Sequence, residues 1–301
     1  MSLGFQEFTL AEEVLVETFT EQCEAWLAEH GTRSVASSID DDVWGVGDFS
    51  VSVFHDMAFE EEEAHLAALR QWNRQKAEEG YHAIVWSEDY GGLGLSQAHA
   101  RAFGRVERRY QVPDSHELFS VTIGLMAPTI QTFGTPEQKD RWIADLLATN
   151  IYCCQLFSEP GAGSDLASLG CRAVRDGDEW IVTGQKVWSS GAQFADYGLL
   201  ISRSDVDTPK HKGMTAFMVP FDTPGVEVRP IKQMSGGTSF NEVFFSEARL
   251  GDEMRVGDVG EGWKVALTTL GFERDHSATG GGSGRRPGGS WQQLRLTAEA
   301  L

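Results

Sequence analysis

The chain has 301 residues, 41% of them hydrophobic and including 9 Trp and 17 Phe, which is enough apolar material for two domains or one large one and excludes a collagen-like or wholly disordered chain. Its formal net charge is -20, from 25 Lys and Arg against 45 Asp and Glu. That balance repels a phosphate backbone at long range and argues against general nucleic-acid binding, yet a local Arg or a set of backbone N–H groups can still hold a small anion.

In chain order, the first half reads as helices. Thr9-Leu10-Ala11-Glu12 fits a capping box, and Leu15, Phe19, Cys23 and Trp26 then share a helical face that Gly31 terminates. Residues 32–58 read as irregular and acidic. Glu60, Glu61, Glu62 and Glu63 open a second helix whose Arg70, Arg74 and Lys76 lie toward its C-terminal half, an order that suits the helix dipole and needs no metal. Tyr90-Gly91-Gly92-Leu93-Gly94-Leu95-Ser96 is a turn-rich loop into a helix over 97–110, and Thr135-Pro136-Glu137-Gln138 is a further helix start.

From about residue 151 the hydrophobic period changes from helical to alternating. Strands are expected over 152–158, 171–175, 179–183, 197–203, 214–221, 226–234 and 241–248, with Asp176-Gly177-Asp178 as a hairpin turn. Strands at this spacing without intervening helices imply an antiparallel sandwich or barrel. After Gly260 the pattern is helical again through Trp263, Val265, Ala266, Leu267 and Leu270. It fails over 279–289, which holds six Gly (Gly280, Gly281, Gly282, Gly284, Gly288 and Gly289) and Pro287; each Gly costs a helix about 1 kcal/mol and Pro about 3. Residues 291–301 fit one last short helix. The fold class is therefore α+β: an N-terminal helical domain over 1–151, a middle antiparallel β-barrel or sandwich domain over 152–257, and the start of a C-terminal helical domain over 258–301.

The cysteines Cys23, Cys153, Cys154 and Cys171 contain no CxxC pair, and the adjacent two are poorly placed for a mutual disulfide. They read as reduced residues of a cytoplasmic protein. No apolar run is long enough to span a bilayer, and no secretion signal is evident. Neither a membrane nor a nucleic-acid partner is expected.

The segment Phe157-Ser158-Glu159-Pro160-Gly161-Ala162-Gly163-Ser164-Asp165 carries the most chemistry. Gly161-x-Gly163 resembles the opening of a dinucleotide turn, but Leu166 stands where the third glycine belongs and strands follow instead of a crossover helix. No P-loop, HExxH zinc motif or GxSxG elbow is present. Small residues in a turn let backbone N–H groups approach a carbonyl-rich ligand, and serines match both the donors and the acceptors of a flavin ring. Trp188, beside Ser189 and Ser190, supplies either an aromatic wall or an ordinary core residue.

This segment resembles the T/S-E-P-x-A-G-S-D signature of the acyl-CoA dehydrogenases. Gly184-Gln185-Lys186-Val187-Trp188-Ser189-Ser190 is similar to their G-x-K-x-W-I-T/S segment, and Ser87-Glu88-Asp89-Tyr90-Gly91-Gly92-Leu93-Gly94 to an upstream one. Phe133-Gly134-Thr135-Pro136-Glu137-Gln138-Lys139 and Gly260-Glu261-Gly262-Trp263 resemble two more, all in family order.

The resemblance implies α,β-dehydrogenation of an acyl-CoA thioester, with FAD accepting a hydride and an electron-transfer flavoprotein as the next acceptor. It places Gln155, Phe157, Ser158, Gly163, Ser164, Trp188, Ser189 and Ser190 at the cofactor, and Ser164 and Arg274 at the substrate. It implies no metal. In many members the base is a distal Glu whose segment is absent here; in a minority it is a Glu directly before an Arg on the first C-terminal-domain helix. Glu273, before Arg274, fits the minority pattern, against the alternative of a surface Glu–Arg pair. A full member continues as a four-helix bundle that builds the tetramer interface and reaches FAD across a subunit boundary; after Arg274 this chain has a glycine-rich stretch. Two readings follow: an active flavoenzyme, as a homo-oligomer or completed by a second dehydrogenase-like chain, or a non-catalytic remnant or partner subunit. A related flavin oxidase is a third.

Overall fold

The computed structural model describes residues 15–34, 57–234 and 237–279. The capping box at Thr9, the glycine-rich stretch beyond 279 and the terminal helix over 291–301 lie outside these residues, as does most of the acidic segment.

The first helix, α1 (Val16–His30), buries Phe19, Cys23 and Leu27, spaced four apart so that they form one stripe. Trp26 is only partly buried and packs at the margin. Gly31 ends the helix as expected but in an extended conformation, its N–H donating to Leu27 O; a Cβ there would lie 3.0 Å from the Tyr110 ring. A two-residue strand, β1 (Thr32–Arg33), follows.

The helix α2 (Phe59–Glu78) starts where the Glu run begins, and the Glu61 carboxylate accepts the Ala58 N–H at 3.2 Å. Gly80 then turns the chain at φ 72°. The glycine loop folds back on residues 83–86. A Cβ on Gly92 would lie 2.2 Å from Trp86 O and 2.4 Å from Ala83 O, so only glycine fits. The helix α3 (Gln97–Glu107) ends three residues earlier than its sequence pattern suggests, and β2 (Tyr110–Gln111) pairs with β1.

A helical run absent from the sequence reading comes next: α4 (Glu117–Val121), a π turn over Thr122–Met126, and α5 (Ala127–Phe133). The helix α6 (Pro136–Leu147) carries the expected capping box, Thr135 Oγ1 accepting from Gln138 N and Gln138 Oε1 accepting from Thr135 N. Gln138 Nε2 also donates to Glu253 O and Arg255 O at 2.8 and 2.7 Å, tying this helix start to the β region.

The remaining strands are β3 (Cys153–Leu156), β4 (Arg172–Asp176), β5 (Glu179–Ser190), β6 (Tyr197–Arg203), β7 (Met214–Pro220), β8 (Val226–Ile231), β9 (Phe240–Gly251) and β10 (Arg255–Val256). Their order in an eight-stranded sheet is β10-β7-β6-β4-β5-β9-β8, with β3 on β6. Pairing is antiparallel along most of the sheet, and Gly177 (φ 64°) turns the expected hairpin. The departures from the sequence expectation are on β6, with which β3 runs parallel, Gln155 opposite Leu199, and which β4 also joins in parallel at Arg172 and Arg203.

The strands β6 and β7 are covered on both faces, which is why they read as near-continuous apolar runs. Leu199, Ile201, Ala216 and Met218 pack against Ile130, Trp142, Leu146 and Val265 of the helices. Leu200, Phe217 and Val219 face Trp180, Val182, Val243 and Leu250 of β5 and β9. One open sheet thus curls over a second core, a sandwich rather than a closed barrel. The helix α7 (Gly262–Thr279) docks through buried Val265 and Ala266, and its Thr269 hydroxyl meets that of Thr129 on α5 at 2.9 Å.

Candidate active site

The signature segment leaves the end of β3 and crosses beside β5. Its backbone is fixed by a buried ion pair. Lys186 is fully buried; its Nζ donates to Phe157 O at 3.0 Å and to Glu159 Oε1 at 2.7 Å. The same carboxylate accepts the N–H groups of Gly170 (2.6 Å) and Cys171 (2.9 Å). Burial lowers the Lys186 pKa from its ordinary value, while Cys171 and Glu159 oppose that shift. Val187 N donates to Ser158 O at 3.0 Å, so strand and segment are joined at both Lys186 and Val187.

The pairing of β5 with β9 slips twice. Between Lys186 and Ser189, β5 spends one more residue than its partner does between Val243 and Asn241. Trp188 sits in that bulge at φ 61°, a conformation that is costly for a bulky residue, and the residue is 58% exposed. The bulge turns Trp188 outward and Ser189 inward, where Asn241 Nδ2 donates to Ser189 O at 3.0 Å and also bonds Gln193 Oε1. Trp188 is therefore not a core residue.

Three polar atoms beside this bulge are shielded and lack a partner among the described residues: Gln155 Nε2 on β3, Ser189 Oγ on β5 and Asn241 Oδ1 opposite it on β9. Unpaired buried polar atoms each cost on the order of 1–3 kcal/mol, so they are rare without a reason. Gly161 and Gly163 face open space, and a Cβ on either would meet nothing within 4 Å. No contact within this chain requires glycine there. Phe157 is buried beneath the segment, Ser158 is half-buried, and Ser164 is exposed.

Glu273 and Arg274 lie exposed near the visible end of α7. A residue that the sequence reading missed connects them to the bulge. Glu117, the first residue of α4, lies close enough to Ser190 and Glu273 for both to bear on its titration. Its carboxyl is pushed above the ordinary value, first by desolvation, with Ser190 and His116 opposing and Glu273 reinforcing the shift. Nothing in the local sequence marks Glu117, because its role depends on elements more than seventy residues downstream.

A groove of about 850 Å³, lined among others by Phe133, Glu137, Arg141, Arg255 and Lys264, contains none of these residues. It is a charged cleft between α6 and α7, and the unpartnered polar atoms and outward Trp188 mark the bulge region as the better site. All four cysteines are free and buried, and burial pushes their thiols up, Cys171 to about 11, so they are inert nucleophiles. Among the described residues no helix is long and apolar enough to cross a membrane.

Comparison with known proteins agrees with this geometry. The family model for the acyl-CoA dehydrogenase N-terminal domain matches residues 46–150, and that for the middle domain matches 154–248. The acyl-CoA dehydrogenase IpdE1 of Mycobacterium tuberculosis is 40% identical over 265 residues, covering 88% of this chain and 64% of that protein. FadE34 of the same organism is 46% identical over 226 residues, 72% of this chain and 30% of that one. Among solved structures, the Tcur3481-Tcur3483 steroid ACAD superposes with a TM-score of 0.65 at 29% identity, over 91% of this chain and 65% of that one. The ChsE4-ChsE5 complex of M. tuberculosis gives 0.61 at 28%, over 89% and 61%. The chain thus spans less than two thirds of the relatives it matches. With both family models matched in order and the signature segments where the fold brings them together, the chain belongs to the acyl-CoA dehydrogenase family.

Proposed function

We propose that this chain binds FAD on the surface between the 157–165 segment and the β5 bulge, and takes part in α,β-dehydrogenation of an acyl-CoA thioester. The observation that carries the reading is the group of unpartnered buried atoms, Gln155 Nε2, Ser189 Oγ and Asn241 Oδ1, beside an outward Trp188. The family is FAD-dependent, and the residues present fit a flavin. Gln155, Ser158, Ser189 and Ser190 offer the mixed donors and acceptors that an isoalloxazine edge needs. Trp188 and Phe157 bound the ring. Gly163 leaves room for close backbone approach, and Ser164 stands at the shared border with the substrate. When bound, FAD supplies the acceptor for the hydride leaving the acyl β-carbon.

The chain's own part is positional and acid–base. The buried Lys186–Glu159 pair holds the Phe157 carbonyl and Val187 N holds that of Ser158, so the bed is organised before ligand arrives. Glu273 removes the α-proton, and Arg274 orients either the acyl-CoA or Glu273. Exposure of Glu273 in the free chain means that bound acyl-CoA, a partner chain or both must exclude water from it.

The organisation we infer is 1–151 helical, 152–257 flavin bed, and 258–301 a C-terminal helical start. The similar structures named as two-chain assemblies, Tcur3481-Tcur3483 and ChsE4-ChsE5, favour a second dehydrogenase-like chain over a homo-oligomer. Electron-transfer flavoprotein is the inferred acceptor, and four reduced cysteines fit a cytoplasmic setting. The alternative is a non-catalytic subunit.

The purified chain, alone and with a second dehydrogenase-like chain, is expected to show a flavin spectrum that an acyl-CoA bleaches without oxygen. Glu273→Gln is expected to slow bleaching at least 100-fold with the spectrum of the resting flavin unchanged. A colourless protein that takes up no FAD sinks the proposal, and bleaching at an undiminished rate in the variant removes Glu273 as base. Peroxide formed without an added acceptor identifies an oxidase.

A further inference from the structure

Asn241 stands where the pattern of its strand calls for an apolar residue. On β9 the side chains of Asn241, Val243 and Phe245 alternate onto one face, and all three are buried. An apolar side chain there would need no partner. An amide brings two donors and an acceptor oxygen, and burial makes each of them costly to leave unmatched. The fold matches only the donors. Nδ2 donates to Ser189 O at 3.0 Å and to Gln193 Oε1, while Oδ1 has no partner among the described residues.

The orientation of this amide is forced from outside. Gln193 Nε2 donates to the Thr238 carbonyl at 3.3 Å, so Gln193 turns its Oε1 toward Asn241. Gln193 Oε1 and the Ser189 carbonyl are both acceptors, and only the donor end of Asn241 can meet them. A short chain of hydrogen bonds thus runs from the Thr238 carbonyl to the end of the bulge.

It grips the strand beside its least favourable backbone conformation. After Lys186 the register of β5 with β9 skips Val187 and Trp188, and Val187 N bonds Ser158 O instead. The strand rejoins β9 at Ser189, opposite Asn241, and Gly191 N then donates to Ser239 O at 3.0 Å. Trp188, at φ 61°, lies between the two attachments. A bulky residue stays in so sparse a region only where its neighbours over-determine it, and such places cluster at ligand sites. Lys186 and Val187 hold one side of Trp188, and Asn241 holds the other.

We propose that Asn241 is a positioning residue: acting through Ser189, it locks the bulge and so presets Trp188 as the wall of the flavin bed. Being fully buried, it does this without meeting the ligand itself. The proposal rests on the reading of the bulge as the FAD site.

The test has one arm without flavin and one with it. The full chain is labelled with fluorotryptophan, and the Trp188 fluorine resonance is identified by its loss in Trp188→Phe. Asn241→Ala is expected to move or split that resonance in the flavin-free protein while the other tryptophan resonances hold their positions. Calorimetric FAD affinity, measured with a partner chain where one is needed for loading, is expected to fall about tenfold or more in Asn241→Ala. Trp188→Gly removes the ring and also the cost of the left-handed conformation, so in that background Asn241→Ala is expected to change FAD affinity by less than about threefold. Effects of equal size in the two backgrounds would mark Asn241 as merely structural and overturn the proposal. So would a Trp188 resonance that stays in place. If Asn241→Ala does not fold, Gln193→Ala frees the amide without removing it. It is expected to move the same resonance and to weaken FAD by a smaller factor, and no change in either overturns the proposal. A wild-type protein that takes up no FAD overturns this proposal together with the reading beneath it; FAD uptake with an unmoved resonance overturns this one alone.

Discussion

Asp252 shows how a single side chain joins the β region to its surroundings. Arg255 donates to both of its oxygens (2.9 and 3.0 Å), and Trp180 Nε1 donates to one at 2.8 Å. Arg255 first, then Trp180, hold the carboxyl down to about 2 from 3.8. A carboxyl depressed in the folded state stabilises the protein above its unfolded pKa and loses that stabilisation as pH falls through the folded value. The contribution should therefore be complete above about pH 4 and fade toward pH 2. Allowing for solvent screening it is about 1–2 kcal/mol. Urea denaturation of wild type and Asp252→Asn at pH 6 and pH 3 checks this, with a smaller gap between the two proteins expected at pH 3. A gap that widens in acid would refute it. Lys186 is the opposite case at this scale: sequence marks it only as a family position, and its burial beside Glu159 shows why a cation stands there.

At the scale of elements, glycine positions divide into those fixed by packing and those that face open space. Gly92 belongs to the first group. Its missing Cβ is replaced by two backbone carbonyls that cannot move aside independently. Gly92→Ala is expected to cost roughly 1–3 kcal/mol and lower the melting temperature by several degrees. Unchanged thermal unfolding would show that the loop adjusts. Gly161 and Gly163 belong to the second group. Helix starts with strong local chemistry were legible, as at Thr135 and Gln138, because a capping box is made by residues three apart. The series α4 to α5 was not. Its first helix has five residues, a π turn interrupts the periodicity, and its stability comes from burial of Leu118, Leu125, Met126 and Ile130 by distant elements.

For the whole molecule, the main question is how much the free chain gains from its ligand. A ligand that binds only the folded state stabilises it by about 2.7 kcal/mol at a hundredfold excess over its dissociation constant. FAD is accordingly expected to raise the melting temperature in a concentration-dependent manner, and FMN, with less to bind, to raise it less. Scanning fluorimetry against both flavins checks this; a melting temperature indifferent to FAD would contradict the proposed bed. The sheet makes the same point structurally. Both cores share β6 and β7, so the proposed flavin surface rests on strands packed from both sides.

The sequence alone determined the order of helices followed by strands, most strand positions, the hairpin at Gly177 and the family, because these depend on local periodicity, turn chemistry and residues at short fixed spacing. It also named Trp188, Ser189 and Gln155 without telling wall from core. Tertiary structure decided that. A bulge set by the pairing of β5 with β9 turns Trp188 outward, and parallel pairing of β3 with β6 sets the register of Gln155. Only the fold brought Glu117 near Ser190 and Glu273, since proximity across 73 and 156 residues of chain depends on packing and leaves no periodic trace in the sequence.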